Sequence, residues 1–200
     1  MIDQVAALEH FDKVDPIMAR CVREQAKHHN PPRYPAASWP RDYWRDLCKI
    51  VVYQQISIKA AEAIWRRVEP VLSNSEALSA DTLREQGLSR QKASYLLAIA
   101  TTDIDFTALE QATDKQVLRE LTSIKGVGPW SVEMFLIFSL ARSDVFSIGD
   151  LGLRLAVSQL YDVESDNHPV IVRRAEQWSP HRTIASLSLW HMLDNQPILL

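Results

Sequence analysis

The stretch that decides the fold is IKGVGPWSVE, Ile124 to Glu133. Gly126 and Gly128, two of the chain's five glycines, are directly followed here by Pro129 and Trp130. Glycines this close together are costly inside a helix. The flanking segments TDKQVLRELTSI and PWSVEMFLIFSLA nevertheless both carry helical patterns of apolar residues. The sequence therefore predicts two helices joined by a tight turn, whose backbone dihedrals the glycines supply.

The chemistry of such a turn follows from its backbone. Pro129 is suited to the first position of the second helix, because the amide hydrogen that it lacks would have had no partner there. The remaining N–H groups and the helix dipole together make a site for an anion, and a nucleic-acid phosphate fits it. A plain corner between two helices also favours glycine. On this motif alone both interpretations stay open.

Composition narrows the class of protein. Hydrophobic residues make up 46% and charged residues 24% of the 200 positions, as in ordinary soluble domains. We find no apolar run of transmembrane length and no signal-peptide pattern at the start, so we expect a cytoplasmic protein without a membrane partner. The net charge of −3 does not indicate nucleic-acid binding, although a local basic face would escape this count.

Helical patterns run through most of the remaining chain. Asp15 followed by Pro16 is typical of a helix start, and Ser89 is placed to cap another helix after Gly87. The apolar runs CKIVVY and MFLIFSL lie inside longer helical patterns and do not read as strands. We therefore predict an all-α fold, interrupted by the proline-rich crossing NPPRYPAASWP at 30–40.

Several segments together resemble one family. They are the hairpin LTSIKGVGPWSVE, the loop DVFSIGD that ends at Asp150, and three flanking segments: IVVYQQISIKAA, GLSRQKASYL and AEQWSPHRTIASLSLW. This set resembles the DNA glycosylase superfamily named for a helix-hairpin-helix, a Gly/Pro-rich loop and an aspartate, and within it the 3-methyladenine DNA glycosylase II family. The resemblance extends from about Asp42 to Trp190 and so covers most of the chain.

The resemblance implies a two-lobed helical DNA glycosylase fold with a helix-hairpin-helix motif and a cleft between the lobes. One lobe would comprise about 41–112. The other would comprise 1–40 plus 113–200, with the hairpin at 121–133 and Asp150. The implied partner is double-stranded DNA containing alkylated bases, bound by a monomer, in the nucleoid of a bacterium or the nucleus of a eukaryote. An additional N-terminal β-lobe, present in some members, is not expected, since the recognisable part begins near Asp42.

The implied reaction flips a damaged base out of the duplex and hydrolyses its N-glycosidic bond. Asp150 would be the catalytic carboxylate that stabilises the positive charge developing on the sugar. Its place before LGLRLAVSQLY also suits a helix N-cap, and the two roles are compatible. Asp144 is the nearby alternative, but the motif favours Asp150.

Trp130 occupies the position at which bifunctional members carry a lysine that forms a Schiff base with the sugar. Tryptophan cannot do this chemistry, so the resemblance implies a monofunctional enzyme that leaves an abasic site. The expected base pocket contains Trp130, Met134 and His181. The expected DNA contacts are Gln54, Gln55, Ser57, Lys125, Gly126, Val127, Gly128 and Ser131. Among them, Gln55 aligns with the residue that fills the gap left by the flipped base.

No cofactor is expected. Cys21 and Cys48 cannot supply the four-cysteine run of the iron–sulfur relatives, and the six histidines form no metal-ligand pattern with them. A monovalent cation held by hairpin carbonyls would be compatible with the sequence. Two alternatives stay open: a helix-hairpin-helix DNA-binding protein without catalysis, and a glycosylase of the same superfamily with a different lesion specificity.

Overall fold

A computed structural model describes residues 2–28, 30–35, 42–73 and 78–193 of the chain. Within these ranges there are helices and no strand, which confirms the all-α prediction. None of these helices combines the length and the apolar character needed to cross a lipid bilayer. The helices are α1 (Gln4–Val14), α2 (Pro16–Ala26), α3 (Tyr43–Tyr53), α4 (Ile58–Leu72), α5 (Ala80–Glu85), α6 (Arg90–Thr101), α7 (Phe106–Gln111), α8 (Asp114–Leu121), α9 (Pro129–Phe138), α10 (Leu151–Tyr161), α11 (His168–Glu176) and α12 (Arg182–Met192).

Side-chain caps explain where many of these helices begin. Asp15 caps α2 by accepting from the amide of Met18, with Pro16 at the first helical position, and Ser89 caps α6. Both starts confirm the sequence prediction. Residues 30–35 of the proline-rich crossing are not helical, whereas 36–41, with the expected lobe boundary, lie outside the described residues.

Contacts within the chain divide it into two units. The terminal unit combines Met1–Trp39 with Leu136–Leu200, and the central unit is Pro40–Phe135. The hairpin therefore belongs to the central unit and Asp150 to the terminal unit. The division expected from the sequence had instead grouped 113–135 with Asp150. The hairpin is braced by the end of α3 and by α6, both in the central unit, as described below.

The central unit is built around α3 and α6. Both helices direct fully buried apolar side chains inward, among them Leu47, Ile50, Leu96 and Ile99. Helix α3 packs on α4 and α6, and α5 packs on α6. This arrangement holds the end of α3 and the outer face of α6 in fixed positions, from which they reach the hairpin.

The terminal unit is organised around a buried carboxylate, that of Asp15. Its Oδ1 accepts from the Met18 amide at 3.1 Å, and its Oδ2 accepts from the Tyr161 hydroxyl at 2.8 Å and the Trp178 indole N–H at 2.9 Å. The guanidinium of Arg174 lies 3.8 Å from the same Oδ2. Burial, followed by the bond to Asp15, raises the pKa of Tyr161, so its hydroxyl stays a donor. Asp15 thus joins α2 to the end of α10 and to the segment after α11.

Replacing Asp15 with alanine should lower the free energy of unfolding by about 3–5 kcal/mol, because a helix cap is lost and two donors, the buried indole of Trp178 and the half-buried hydroxyl of Tyr161, lose their acceptor. Chemical denaturation followed by circular dichroism measures this difference. The matched control is Asp3→Ala, which removes an exposed cap that serves two amides of α1 and should cost about 1 kcal/mol. Equal losses for the two variants would mean that Asp15 acts as a cap and nothing more.

Candidate active site

Asp150 lies at the N-terminus of α10 and caps it. Its Oδ1 accepts from the amide of Leu153 at 2.8 Å, and its own amide donates to the carbonyl of Ser147 at 3.1 Å. The side chain is half-buried, and the backbone is extended, with φ −81° and ψ 118°. The capping role expected from the sequence is therefore present. It fixes the direction of a carboxylate at the positive end of a helix.

A second donor reaches the same oxygen. The indole N–H of Trp190, in α12, donates to Asp150 Oδ1 at 2.9 Å. Trp190 is buried and stacks on Phe138, with ring centroids 5.9 Å apart. A side chain at Gly152 would bring its Cβ within 3.1 Å of Oδ1 and 3.4 Å of the indole. Glycine at this position therefore leaves room for the tryptophan to approach the carboxylate.

The sequence interpretation quoted Trp190 as the end of a matching segment but gave it no role. Two local signals could have suggested one. Trp190 is a large aromatic residue with a polar N–H that needs a partner when buried, and Gly152 is a glycine two residues after the candidate acid. Trp190 and Gly152 are far apart in the chain, so the sequence alone does not connect these two signals.

Asp144 is engaged in a different way. Its two oxygens accept from the guanidinium of Arg182, at 2.7 Å and 3.0 Å, and Oδ2 also accepts from the Ser179 hydroxyl at 2.8 Å. Although burial raises the pKa of this carboxyl, the hydrogen bonds from Arg182 and Ser179 outweigh it and hold the pKa below its usual range. Asp144 thus ties its loop to the start of α12. Its charge has a structural role there.

The hairpin runs from the end of α8 at Leu121 to the start of α9 at Pro129. Gly126 has φ +91°, in the left-handed region that favours glycine. A Cβ at this position would lie 2.0 Å from the ring of Tyr95, which no real contact allows. The prediction that the turn requires glycine is confirmed at Gly126, for both a conformational and a steric reason.

At Gly128 the same prediction is wrong. Its φ is not in the left-handed region, and nothing lies within 4 Å of the position that a Cβ would take. The protein itself therefore does not require glycine there. The space in front of Gly128 is open, and Lys125 on the same turn is exposed, whereas Val127 is buried and its amide donates to the Ile124 carbonyl at 3.0 Å.

The turn that follows α3, Gln54–Ser57, lies beside the hairpin within the central unit. The side chain of Gln54 donates to the Gly126 carbonyl at 2.9 Å and to the Ser131 hydroxyl at 2.8 Å. Gln55 is exposed and has φ +55°, which is uncommon for a residue with a side chain. Ser57 is exposed and caps α4. The structure thus brings together the two segments that the sequence assigned separately to DNA contact.

The three expected pocket residues differ in their surroundings. Trp130 is half-exposed in the first turn of α9, and Met134, one turn later, is buried. His181 precedes α12, and its ring lies 5.6 Å from that of His10 and 6.3 Å from that of Phe11, both in α1. Burial, then the neighbouring His10, lowers the pKa of His181. Pocket roles for these residues stay predictions.

Over the described part of the chain, no group of three or more His, Cys, Asp or Glu side chains is placed to hold a metal ion. The chain's two cysteines are free and buried. Burial raises the pKa of Cys21 to about 12 and raises that of Cys48 as well. Both are therefore thiols at neutral pH.

An all-helical fold with a glycine hairpin and a capped, half-buried aspartate indicates a particular class of protein. Comparison with known proteins identifies that class. Residues 48–181 match the model of the HhH-GPD superfamily base excision DNA repair protein. The chain belongs to this family, and the resemblance drawn from its motifs is confirmed.

Individual relatives agree with the family. Over 164 residues the chain is 30% identical to DNA-3-methyladenine glycosylase 1 of Schizosaccharomyces pombe, an alignment that spans 75% of this chain and 72% of that one. A 3-methyladenine DNA glycosylase of the same yeast, solved in complex with abasic DNA, superposes with a TM-score of 0.81 at 28% identity and covers 94% of this chain and 97% of its own. A DNA-3-methyladenine glycosidase of Bacillus halodurans gives a TM-score of 0.73 at 33% identity, over 92% and 88% of the two chains.

The two hairpin glycines give a stability test. Gly126→Ala should lower the free energy of unfolding by about 2–5 kcal/mol, since it combines a left-handed backbone with overlap onto Tyr95. Gly128→Ala is the matched control and should change it by no more than about 1 kcal/mol. Thermal or urea unfolding of both variants decides the matter. A Gly126→Ala protein as stable as the wild type would show that the Tyr95 contact does not constrain the turn.

Proposed function

We propose that this protein is a monofunctional DNA glycosylase that removes alkylated bases such as 3-methyladenine from double-stranded DNA and leaves an abasic site. The observation that carries the proposal is the carboxylate of Asp150. A helix amide and the indole of Trp190 hold it in one orientation within the region that matches the family. The names of the yeast and bacterial relatives support the choice of 3-methyladenine.

The chemistry explains why one carboxylate can suffice. Alkylation of a ring nitrogen makes the base cationic, so the base leaves readily with the electron pair of the bond between C1′ and its nitrogen. The sugar then carries the positive charge, and water adds to C1′ with loss of a proton. The products are the free base and the abasic sugar. Stabilising the charge on the sugar is therefore the main task of the protein.

Asp150 is suited to this task by its donors. The two hydrogen bonds described at Oδ1 come from an amide and an indole, which fix the direction of the carboxylate. In the proposed mechanism, the negative charge faces the sugar as the bond breaks and orients the attacking water. A preorganised charge of this kind needs no rearrangement during the reaction.

The hairpin would bind the DNA backbone. The open space in front of Gly128 would let a phosphate approach the start of α9, where the helix dipole attracts an anion. The exposed Lys125 adds a positive charge on the same turn. Gln55, exposed in its left-handed conformation, is the residue proposed to fill the gap left by the flipped base. Trp130 is proposed to stack on the flipped base, where its ring would favour a cationic purine.

The absence of backbone cleavage follows from Trp130, which stands where a Schiff-base lysine would be needed. Incubation with an abasic duplex and borohydride should give no covalent protein–DNA adduct above background, because an indole forms no imine with the sugar. A bifunctional glycosylase serves as the positive control, and denaturing electrophoresis separates the adduct. A clear adduct with this protein would contradict the monofunctional assignment.

Asp150→Asn tests the catalytic proposal. The amide keeps the shape and can still accept the bonds from Leu153 and Trp190, but the charge that should stabilise the transition state is lost. Single-turnover release of 3-methyladenine should fall by roughly two orders of magnitude or more. Affinity for a duplex with an uncleavable abasic analogue should be kept or increase, because a negative charge close to phosphates opposes binding.

The control for this substitution is Asp105→Asn, which changes another capping aspartate, at the exposed start of α7. It should leave excision within about twofold of the wild type, as expected of a surface change. Asp144→Asn is a poorer control, since it would also break the ion pair with Arg182. Normal excision by a folded Asp150→Asn protein would favour the non-catalytic DNA-binding alternative.

A further inference from the structure

Gln54 uses its side chain inside the protein. Its Nε2 donates to the Gly126 carbonyl at 2.9 Å and to the Ser131 hydroxyl at 2.8 Å. A carbonyl oxygen only accepts, so the nitrogen of the amide must face Gly126. A primary amide nitrogen has two hydrogens, and both are occupied here. A phosphate also only accepts, so the remaining amide oxygen cannot bind it. This geometry favours a role for Gln54 other than the direct DNA contact expected from the sequence.

The backbone of Gln54 is fixed as well. The ammonium of Lys92 donates to the carbonyls of Val52 and Gln54, both at 2.6 Å. Carbonyls at a helix C-terminus have no partner within the helix, and a cation there is favourable. Burial lowers the pKa of Lys92, in keeping with its position against the end of α3. Lys92 therefore holds the residue at which the turn Gln54–Ser57 begins.

The face of α6 that carries Lys92 also supports the hairpin. Tyr95 follows Lys92 by three residues, which places the two side chains side by side on the helix. Lys92 holds the end of α3, while the ring of Tyr95 lies against Gly126. Between these two contacts, Gln55 keeps a left-handed conformation, which persists only where the surroundings determine it.

We propose that Gln54 is a positioning residue that ties the turn Gln54–Ser57 to the hairpin, so that both segments meet the DNA backbone as one preorganised surface. The proposal rests on the proposed function, because DNA is its ligand. Two segments that are already ordered lose less conformational entropy when DNA binds. This smaller entropic cost increases the affinity for DNA. Gln54 contributes it without touching the ligand.

Two substitutions test the tie from its two ends. Gln54→Met keeps the length of the side chain and removes both donors. Ser131→Ala removes one acceptor, and because Ser131 is only 1% exposed its hydroxyl does not itself reach DNA. Affinity for an undamaged duplex should fall by roughly two- to thirtyfold in Gln54→Met and by less in Ser131→Ala. The double variant should bind no more weakly than Gln54→Met, since both changes break the same link.

Hydrogen exchange of the DNA-free proteins gives a readout that does not depend on DNA binding. Gln54→Met should exchange faster than the wild type both at the turn and at hairpin residues 123–128. Lys125→Ala, an exposed change on the hairpin, should weaken DNA binding and leave the exchange of both segments unaltered.

Three results would overturn the tie. They are unchanged exchange in Gln54→Met, unchanged DNA affinity in Gln54→Met, or lost affinity in Gln54→Met with normal affinity in Ser131→Ala. The last result would make Gln54 a direct contact. A wild-type protein that binds no duplex would instead refute the proposed function, and the exchange data would still decide whether Gln54 links the two segments.

Discussion

The contact between the ring of Tyr95 and the backbone at Gly126 sets the geometry of the central unit's functional surface. It leaves no room for a side chain at Gly126, and it keeps the hairpin against α6. The amide of Gln54 then reaches the carbonyl of the same glycine. One residue without a side chain is thus the meeting point of α3, α6 and the hairpin.

The terminal unit uses three aspartates in three ways. Asp15 is buried and accepts from a helix amide, a phenol and an indole, so it joins elements. Asp144 is matched by a guanidinium, which balances its charge. Asp150 is oriented at Oδ1 by an amide and an indole, both uncharged. Because Asp150 also ends the motif DVFSIGD, within the region that matches the family, we assign the proposed chemistry to it.

Much of the fold could be predicted because its signals are local. The hairpin, the caps at Asp15 and Ser89 and the helical content follow from residues a few positions apart. The bond from Trp190 to Asp150 and the ion pair of Asp144 with Arg182 join residues 40 and 38 positions apart, and no local pattern reports such pairs. Gly128 shows the limit of a local rule, since spacing alone treats it like Gly126, although only Gly126 meets a neighbouring ring.

The burial of Cys21 and Cys48 has a consequence for a protein proposed to work on methylated DNA. The agents that methylate bases are electrophiles, and in proteins their preferred target is the thiolate, not the thiol. Burial raises the pKa of both cysteines and covers their sulfur atoms, so neither cysteine offers such agents a reactive thiolate in the folded chain. The protein would therefore keep its thiols intact through the same chemical exposure that generates its substrates.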